Sequence, residues 1–178
     1  NSVLRKWDPE LMVVVAFGQI LPPDFFNYPQ FGTLNVHASL LPKYRGAAPV
    51  AHALLNGESR TGSTIMKIDQ GMDTGDILSQ RALAIGEETT AGELEELLSI
   101  QGAELLVETI PRYVSGSLRG YPQDHSKATM APRLRKDDSP IDWNRTAREL
   151  HNQVRAYNPW PGSSTTVRGQ SLKVWRSR

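Results

Sequence analysis

Between Leu34 and Asp76 the sequence twice runs from a short apolar stretch straight into polar residues and glycines, and few folds accommodate that pattern. The first junction is Asn35-Val36-His37-Ala38-Ser39-Leu40-Leu41-Pro42, where Leu34 to Val36 reads as the tail of a strand. The second is Asp69-Gln70-Gly71-Met72-Asp73-Thr74-Gly75-Asp76, which follows the strand-like Ile65-Met66-Lys67-Ile68. Open α/β sheets carry their chemistry at such strand ends, on rigid elements that face the loops. Asn35 and His37 are two residues apart, so both project from one face if the strand continues through them. An amide, an imidazole and a carboxylate converging there would supply an oxyanion donor, a proton-transfer group and a group to orient it.

The surrounding sequence builds the same kind of sheet. Leu11 to Phe17 is a continuous apolar, β-branched run, which predicts a strand covered on both faces. Gly18 to Pro23 breaks it, either as an ordinary turn or as a loop whose backbone N–H and C=O groups could pair with a flat heterocycle. Leu40 to Gly46 reads as a loop, Pro49 to Asn56 as a short helix, and Gly62 to Asp69 and Asp76 to Ala84 as strands. Thr90-Ala91-Gly92-Glu93 is a capping box, opening a helix with Leu94, Leu97, Leu98, Leu105 and Val107 on its apolar stripe. Pro111 is expected to end or kink that helix near Ile110. Strand–helix alternation to this point predicts an α/β domain over 1–118.

Residues 119–138 lose periodicity and read as an interdomain linker. Within 139–178, Thr146 to Glu149 caps a short helix with Ala147, Leu150, Val154 and Tyr157, stopped by Asn158-Pro159-Trp160-Pro161-Gly162. Ser163 to Arg168 and Gln170 to Trp175 flank Gly169 as the first hairpin of a β-rich second domain, which two strands alone could not close.

Composition narrows the class. The chain has 178 residues, 39% apolar and 22% charged, which excludes a disordered polymer. Leu11 to Phe17 is far short of the roughly 20 apolar residues that a membrane-spanning helix needs. There is no cysteine, so disulfides, thiolate metal sites and a thiol nucleophile are excluded. Net charge is +1, yet residues 1–111 carry 7 Lys/Arg against 14 Asp/Glu, whereas 112–178 carry 13 against 5. A basic half beside an acidic one suggests a polyanionic partner for the former, although a merely solvated surface would look the same. Asn1 is not a start residue and no signal peptide precedes the first strand, so the chain is expected to be cut from something longer. Two further readings of the acidic loop fail. As a calcium loop from Asp69 it has the wrong residues at Gly71, Thr74 and Gln80. Asp73-Thr74-Gly75 matches an aspartic-protease triplet, but that chemistry needs two such carboxylates in an all-β frame.

The motifs Asn35-x-His37, Ser39-Leu40-Leu41-Pro42-x-Tyr44-Arg45-Gly46, Gly62-x-Thr64-Ile65-Met66 and Asp69-x-Gly71-Met72-Asp73-Thr74-Gly75-Asp76 belong to a recognisable set. With Ile141-Asp142-Trp143, Asn158-Pro159-Trp160-Pro161 and Lys173-Val174-Trp175, the chain resembles the 10-formyltetrahydrofolate-dependent formyltransferases, specifically the methionyl-tRNA formyltransferases. The resemblance implies a Rossmann-like formyltransferase sheet domain, present in part, then the linker and the start of an OB-like β-barrel that binds tRNA. By the same comparison the first part of the sheet, with a tRNA-contacting inserted loop, is expected to lie before Asn1, and most of the barrel after Arg178.

The implied reaction moves a formyl group from 10-formyltetrahydrofolate, as cosubstrate, to the amino group of methionyl initiator tRNA. The implied catalytic residues are Asn35, His37 and Asp73, with Asn35 as oxyanion donor, His37 as a positive charge, and Asp73 holding that charge and helping to move the proton. Ser39, Leu40, Leu41 and Pro42, with Val15, Phe17, Gly18 and Ile20, are implied to line the folate site. No metal is expected, because the donor is already an activated amide. Lys127, Arg133, Arg135, Lys136, Arg145, Arg148 and Arg155 form a basic cluster, part of which, Arg133, Arg135 and Lys136 above all, is expected to contact tRNA phosphates. His52 is expected to be structural, and Asp69 and Asp76 to be turn and strand-end carboxylates rather than catalysts. The resemblance further implies a cytoplasmic bacterial or organellar-matrix protein, a monomer with no membrane contact. The alternatives are a formyltransferase acting on a sugar-nucleotide or purine-precursor amine, and a non-catalytic folate- or RNA-binding remnant.

Overall fold

The structure, a computed structural model, describes residues 2–178. After helix α1 (Ser2–Trp7), β1 (Met12–Val15) pairs in parallel with β2 (Thr33–His37) across a connection that holds the short α2 (Pro23–Phe26). Helix α3 (Pro49–Leu55) then leads to β3 (Arg60–Lys67) and β4 (Ile77–Ala84), each antiparallel to its neighbour, giving the sheet order β1-β2-β3-β4. The expected α/β sheet is therefore present as a mixed, Rossmann-like sheet with one parallel pair.

Helix α4 (Ala91–Val114) opens on the expected capping box, with Thr90 accepting from the Glu93 N–H and the Glu93 carboxylate accepting from the Thr90 N–H. It lies so close to the sheet that a Cβ at Gly102 would stand 2.7 Å from Val36 Cγ1, which marks the Val36 side of β2 as the helix-covered one. Leu94, Leu98 and Leu105 are buried there, but Leu97 and Val107 are exposed, so the apolar stripe is narrower than expected. Nor does Pro111 end the helix, which continues through Val114. In the last turns the carbonyl that Pro111 leaves without its helical donor is that of Val107, an exposed position open to solvent.

Three other expectations are corrected. The Leu11–Phe17 run is not covered on both faces: β1 is an edge strand, and Val13, Val15 and Phe17 are exposed. Its apolar pattern was that of a central strand, but in this sheet the central, doubly covered position is taken by β3. The OB-like β-barrel is not formed. β5 (Ser163–Val167) and β6 (Gln170–Val174) make a separate two-stranded antiparallel sheet, turning at Arg168-Gly169 with positive φ at both residues. Among the described residues no sheet closes. β5 instead bonds to an irregular segment, Ile141 N–H to Ser164 O and Ser164 N–H to Ser139 O, both at 2.8 Å. Finally, Arg155 cannot belong to a phosphate-facing cluster. It is buried on α5 (Ala147–Ala156), donating to Asn152 Oδ1 and the Gly86 carbonyl.

The larger core cluster joins Val50, Leu54, Leu94 and Leu98 to Ala131, Leu134, Ala156 and Tyr157. Segment 119–138 and α5 thus pack into the same interior as α3 and α4. No helix among the described residues is long and apolar enough to cross a membrane.

Candidate active site

Because α4 covers the Val36 side of β2, Asn35 and His37 face the other way, at the end of a strand flanked by β1 and β3. Asn35 stands between Val14 and Met66, half-buried, and its amide has no hydrogen-bond partner among the described residues. His37 is buried and held at both ring nitrogens. Nε2 lies 2.9 Å from the Tyr44 carbonyl, which can only accept, so this nitrogen carries a hydrogen. Nδ1 faces Asp73 Oδ2 at 3.6 Å, too far for a hydrogen bond but close enough for an ion pair when the ring is protonated.

Asp73 arrives by a loop built to deliver it. Asp69 Oδ1 accepts from the Gly71 N–H and the Thr74 hydroxyl, closing the turn, as expected of a turn carboxylate. Gly75 is demanded by a close approach, since a Cβ there would lie 2.0 Å from the Lys67 carbonyl oxygen. Asp73 itself has φ 53°, a left-handed conformation that a non-glycine residue keeps only when its surroundings hold it. Its Oδ2 accepts from the Gly46 N–H at 2.8 Å, and its carbonyl accepts from Gln123 Nε2 at 2.9 Å. Tyr44 shares the strain, with φ 62°. Burial pushes the Tyr44 hydroxyl up to about 12, and its donation to Glu58 holds that carboxyl below the usual range.

The Ser39–Pro42 loop beside this pair is organised by a threonine. Thr64 Oγ1, on β3, donates to the Ser39 carbonyl at 2.6 Å and accepts from the Leu41 N–H and from Gln80 Nε2. Ser39 is buried and donates to the Lys43 carbonyl, so its hydroxyl shapes the loop. Leu41 is also buried, whereas Leu40 and Pro42 are partly accessible. Val15, Phe17, Gly18 and Ile20 form an exposed stretch leading from the end of β1, the neighbour of β2. Arg133, Arg135 and Lys136 are exposed, and the two arginines line a cleft of about 330 Å³ shared with His52 and Tyr157. His52 Nε2 meets the Pro132 carbonyl there at 3.0 Å. Among the described residues no group of three or more His, Asp or Glu is arranged to hold a metal ion.

Several residues of this site were not singled out from the sequence. The Tyr44 carbonyl and the Gly46 amide act through the backbone, which no side-chain pattern reveals. Thr64 stood within a motif without a role of its own, and Gln80 lies between the polar Ser79 and Arg81 on β4, so neither stood out. Gln123 carried no signal, since it lies where periodicity is absent.

A family profile described as "Formyl transferase" matches residues 1–110, and one described as "Formyl transferase, C-terminal domain" matches 133–178. This corrects the expectation that the N-terminal part of the catalytic domain is lacking, because the N-terminal profile is matched from residue 1. Methionyl-tRNA formyltransferase of Pelotomaculum thermopropionicum is 48% identical over 177 residues, covering 99% of this chain and 56% of the relative. The enzyme of the same name from Bacillus subtilis is 46% identical over 170 residues, 96% of this chain and 54% of the relative. The chain therefore spans about half the length of these curated relatives. Among solved structures, HypX from Aquifex aeolicus in complex with tetrahydrofolic acid superposes with TM-score 0.82 at 19% identity, over 96% of this chain and 29% of that one, a likeness of fold. WlaRD, a sugar 3N-formyl transferase crystallised with dTDP and 5-N-formyl-THF, gives TM-score 0.73 at 27% identity, over 82% of this chain and 53% of that one.

Proposed function

The chain belongs to the formyl transferase family, and on that premise we propose that its protein transfers a formyl group from 10-formyltetrahydrofolate to the α-amino group of methionyl initiator tRNA. The amine attacks the formyl carbon, a C–N bond forms, and the carbonyl oxygen becomes an oxyanion. Asn35 donates its amide N–H to that oxygen, and His37 supplies positive charge beside it. Collapse breaks the bond to N10 of the folate, while the proton lost by the amine passes to N10 with the help of Asp73, directly or through water. The observation that carries this reading is the His37–Asp73 contact at 3.6 Å beside an Asn35 amide with no partner among the described residues. A ring tethered at Nε2 cannot swing away from Asp73, so the pair is preorganised.

The exposed Val15–Ile20 stretch and the Ser39–Pro42 loop, on either side of the end of β2, provide the folate-facing surface. Residues 1–118 act as the catalytic part and 139–178 as the start of the tRNA-binding part, with 119–138 between them. Arg133, Arg135 and Lys136 meet phosphates of the tRNA. The protein works where initiator tRNA is charged, in the bacterial cytoplasm or an organellar matrix.

The deciding assay is formylation of charged initiator tRNA compared with amino sugars and purine-pathway amines, using 10-formyltetrahydrofolate. Preference for the tRNA is expected, and a preference for a small amine overturns the substrate assignment. In the same assay Asn35→Ala should lose about 100- to 1,000-fold in turnover with folate affinity little changed, the usual cost of one oxyanion donor. Turnover within a few-fold of wild type removes Asn35 from that role.

A further inference from the structure

Gln123 lies 50 residues beyond Asp73 in sequence, yet its side chain is 5% exposed and bonded to the Asp73 loop. Its Nε2 donates to two carbonyls of that loop, Asp73 O at 2.9 Å and Gly75 O at 2.8 Å. Its Oε1 accepts twice from Arg45, from Nε at 3.1 Å and Nη2 at 2.6 Å. The amide can sit only this way round, because a flip would set its oxygen against two carbonyls and its NH₂ against a guanidinium that has no acceptor. Arg45 is itself 6% exposed, and its Nη2 also meets His125 Nδ1 at 3.1 Å. No carboxylate stands within ion-pair distance of this buried guanidinium among the described residues, so neutral acceptors from segment 119–138 hold it.

Arg45 sits between the two backbone groups that hold the reacting pair: the Tyr44 carbonyl on His37 and the Gly46 amide on Asp73. Asp73, Gln123, Arg45 and Gly46 therefore form a ring of hydrogen bonds closed by the Arg45–Gly46 peptide link. The segment that bears Gln123 is fixed on both sides of it, by bridges of Tyr121 to Ile77 and Met130 to Arg45.

We infer that Gln123 is a positioning residue for Asp73: clamped by Arg45, it sets how far the strained Asp73 loop stands from His37. The inference rests on the reading of Asp73 as catalytic. Gln123→Glu tests it, because the carboxylate keeps Arg45 satisfied but removes both donors to the loop. In the full chain, kcat for tRNA formylation is expected to fall about 10- to 100-fold, the scale set by a misplacement of about 1 Å at a reacting group. KM for the folate should stay within about two-fold, while the melting temperature is expected to fall, because a carboxylate oxygen now faces two carbonyls that have lost their donor and the ion pair to Arg45 offsets only part of that loss.

Placed on Asp73→Asn, the same change should cost less than about two-fold more, as for residues acting as one unit. A merely structural residue would multiply its loss there. Amide exchange at Gly46, measured without substrate, should quicken in Gln123→Glu. Wild-type kcat in Gln123→Glu beside a crippled Asp73→Asn overturns the Gln123 inference alone, as does multiplicative loss or unchanged exchange at Gly46. A fully active Asp73→Asn overturns the reading of Asp73 and the inference with it. Should Gln123→Glu fail to fold, Gln123→Asn, one methylene short, carries the same comparisons.

Discussion

Two threonines on β3, three residues apart, should answer the same substitution with opposite signs. Thr64 is 0% exposed, and its hydroxyl makes three hydrogen bonds, to the Ser39 carbonyl, the Leu41 N–H and the Gln80 amide. Thr61 is 3% exposed, and its hydroxyl has no partner among the described residues. Threonine to valine keeps the shape of the side chain and the β-branching that suits a strand, so packing is held nearly constant. In Thr64→Val the Ser39 carbonyl and the Leu41 N–H lose this partner, whereas Gln80 keeps its bond to the Leu41 carbonyl at 2.9 Å. At about 1–3 kcal/mol for each of the two buried groups left unpaired, the loss is about 2–6 kcal/mol. For a chain of this size that lowers the melting temperature by about 4–24 °C. Thr61→Val removes a hydroxyl that is desolvated with no return, and a gain of about 1 kcal/mol is expected. Paired thermal and urea unfolding curves, with unchanged urea slopes, measure both shifts. Equal shifts for the two variants, or Thr64→Val within about 0.5 kcal/mol of wild type, the range of an ordinary surface substitution, would refute the assignment of Thr64 as the organiser of the loop.

The Tyr44–Glu58 bond gives a pH dependence with two arms. Tyr44 is raised from 10.0 to about 12, so its contribution to stability is full below 10 and is lost as pH climbs through about 12. Glu58 is lowered from 4.5, so its contribution is present above 4.5 and lost as pH falls through the depressed value. Tyr44→Phe should flatten both arms of a plot of urea midpoint against pH, and a curve parallel to wild type contradicts the pairing. Neutralising Arg133, Arg135 and Lys136 together should raise KM for tRNA and reduce the salt slope by up to about 2–3, at about 0.7–0.9 per phosphate contact. An unchanged slope would leave these side chains as a solvated surface. Thr146→Ala removes the cap that accepts from the Glu149 N–H on α5 and should cost about 1 kcal/mol. Unaltered amide exchange in the first turn of α5 would count against it.

What the sequence disclosed and what it hid divide along physical lines. Capping boxes at Thr90 and Thr146 are local chemistry, and both helices begin where those residues predict. The hairpin about Gly169 was likewise legible, because a tight turn needs residues that tolerate positive φ. The closeness of His37 and Asp73 is not local, and only the motif resemblance joined them before the fold did. Burial was misread wherever it depends on a neighbour distant in sequence. Val13 and Val15 look like core residues but line an edge, while Arg155 looks like a surface residue yet is buried near Gly86. Segment 119–138 was least legible, since its order comes from bonds to other parts of the chain rather than from its own periodicity.

The two edges of the main sheet are not alike, and the difference bears on how copies of the chain could meet. Along β1 one row of N–H and C=O groups faces away from β2, over side chains that include the exposed Val13 and Val15. At the other edge, the Ile77 end of β4 is occupied by Tyr121, with mutual backbone bonds of 2.9 and 3.0 Å. Head-to-tail stacking, β1 of one copy on β4 of the next, would have to displace that bridge, and such stacking is the geometry that grows without limit. Among the described residues the Tyr121 bridge thus closes the Ile77 end of one sheet edge, whereas β1 leaves the other edge unpaired.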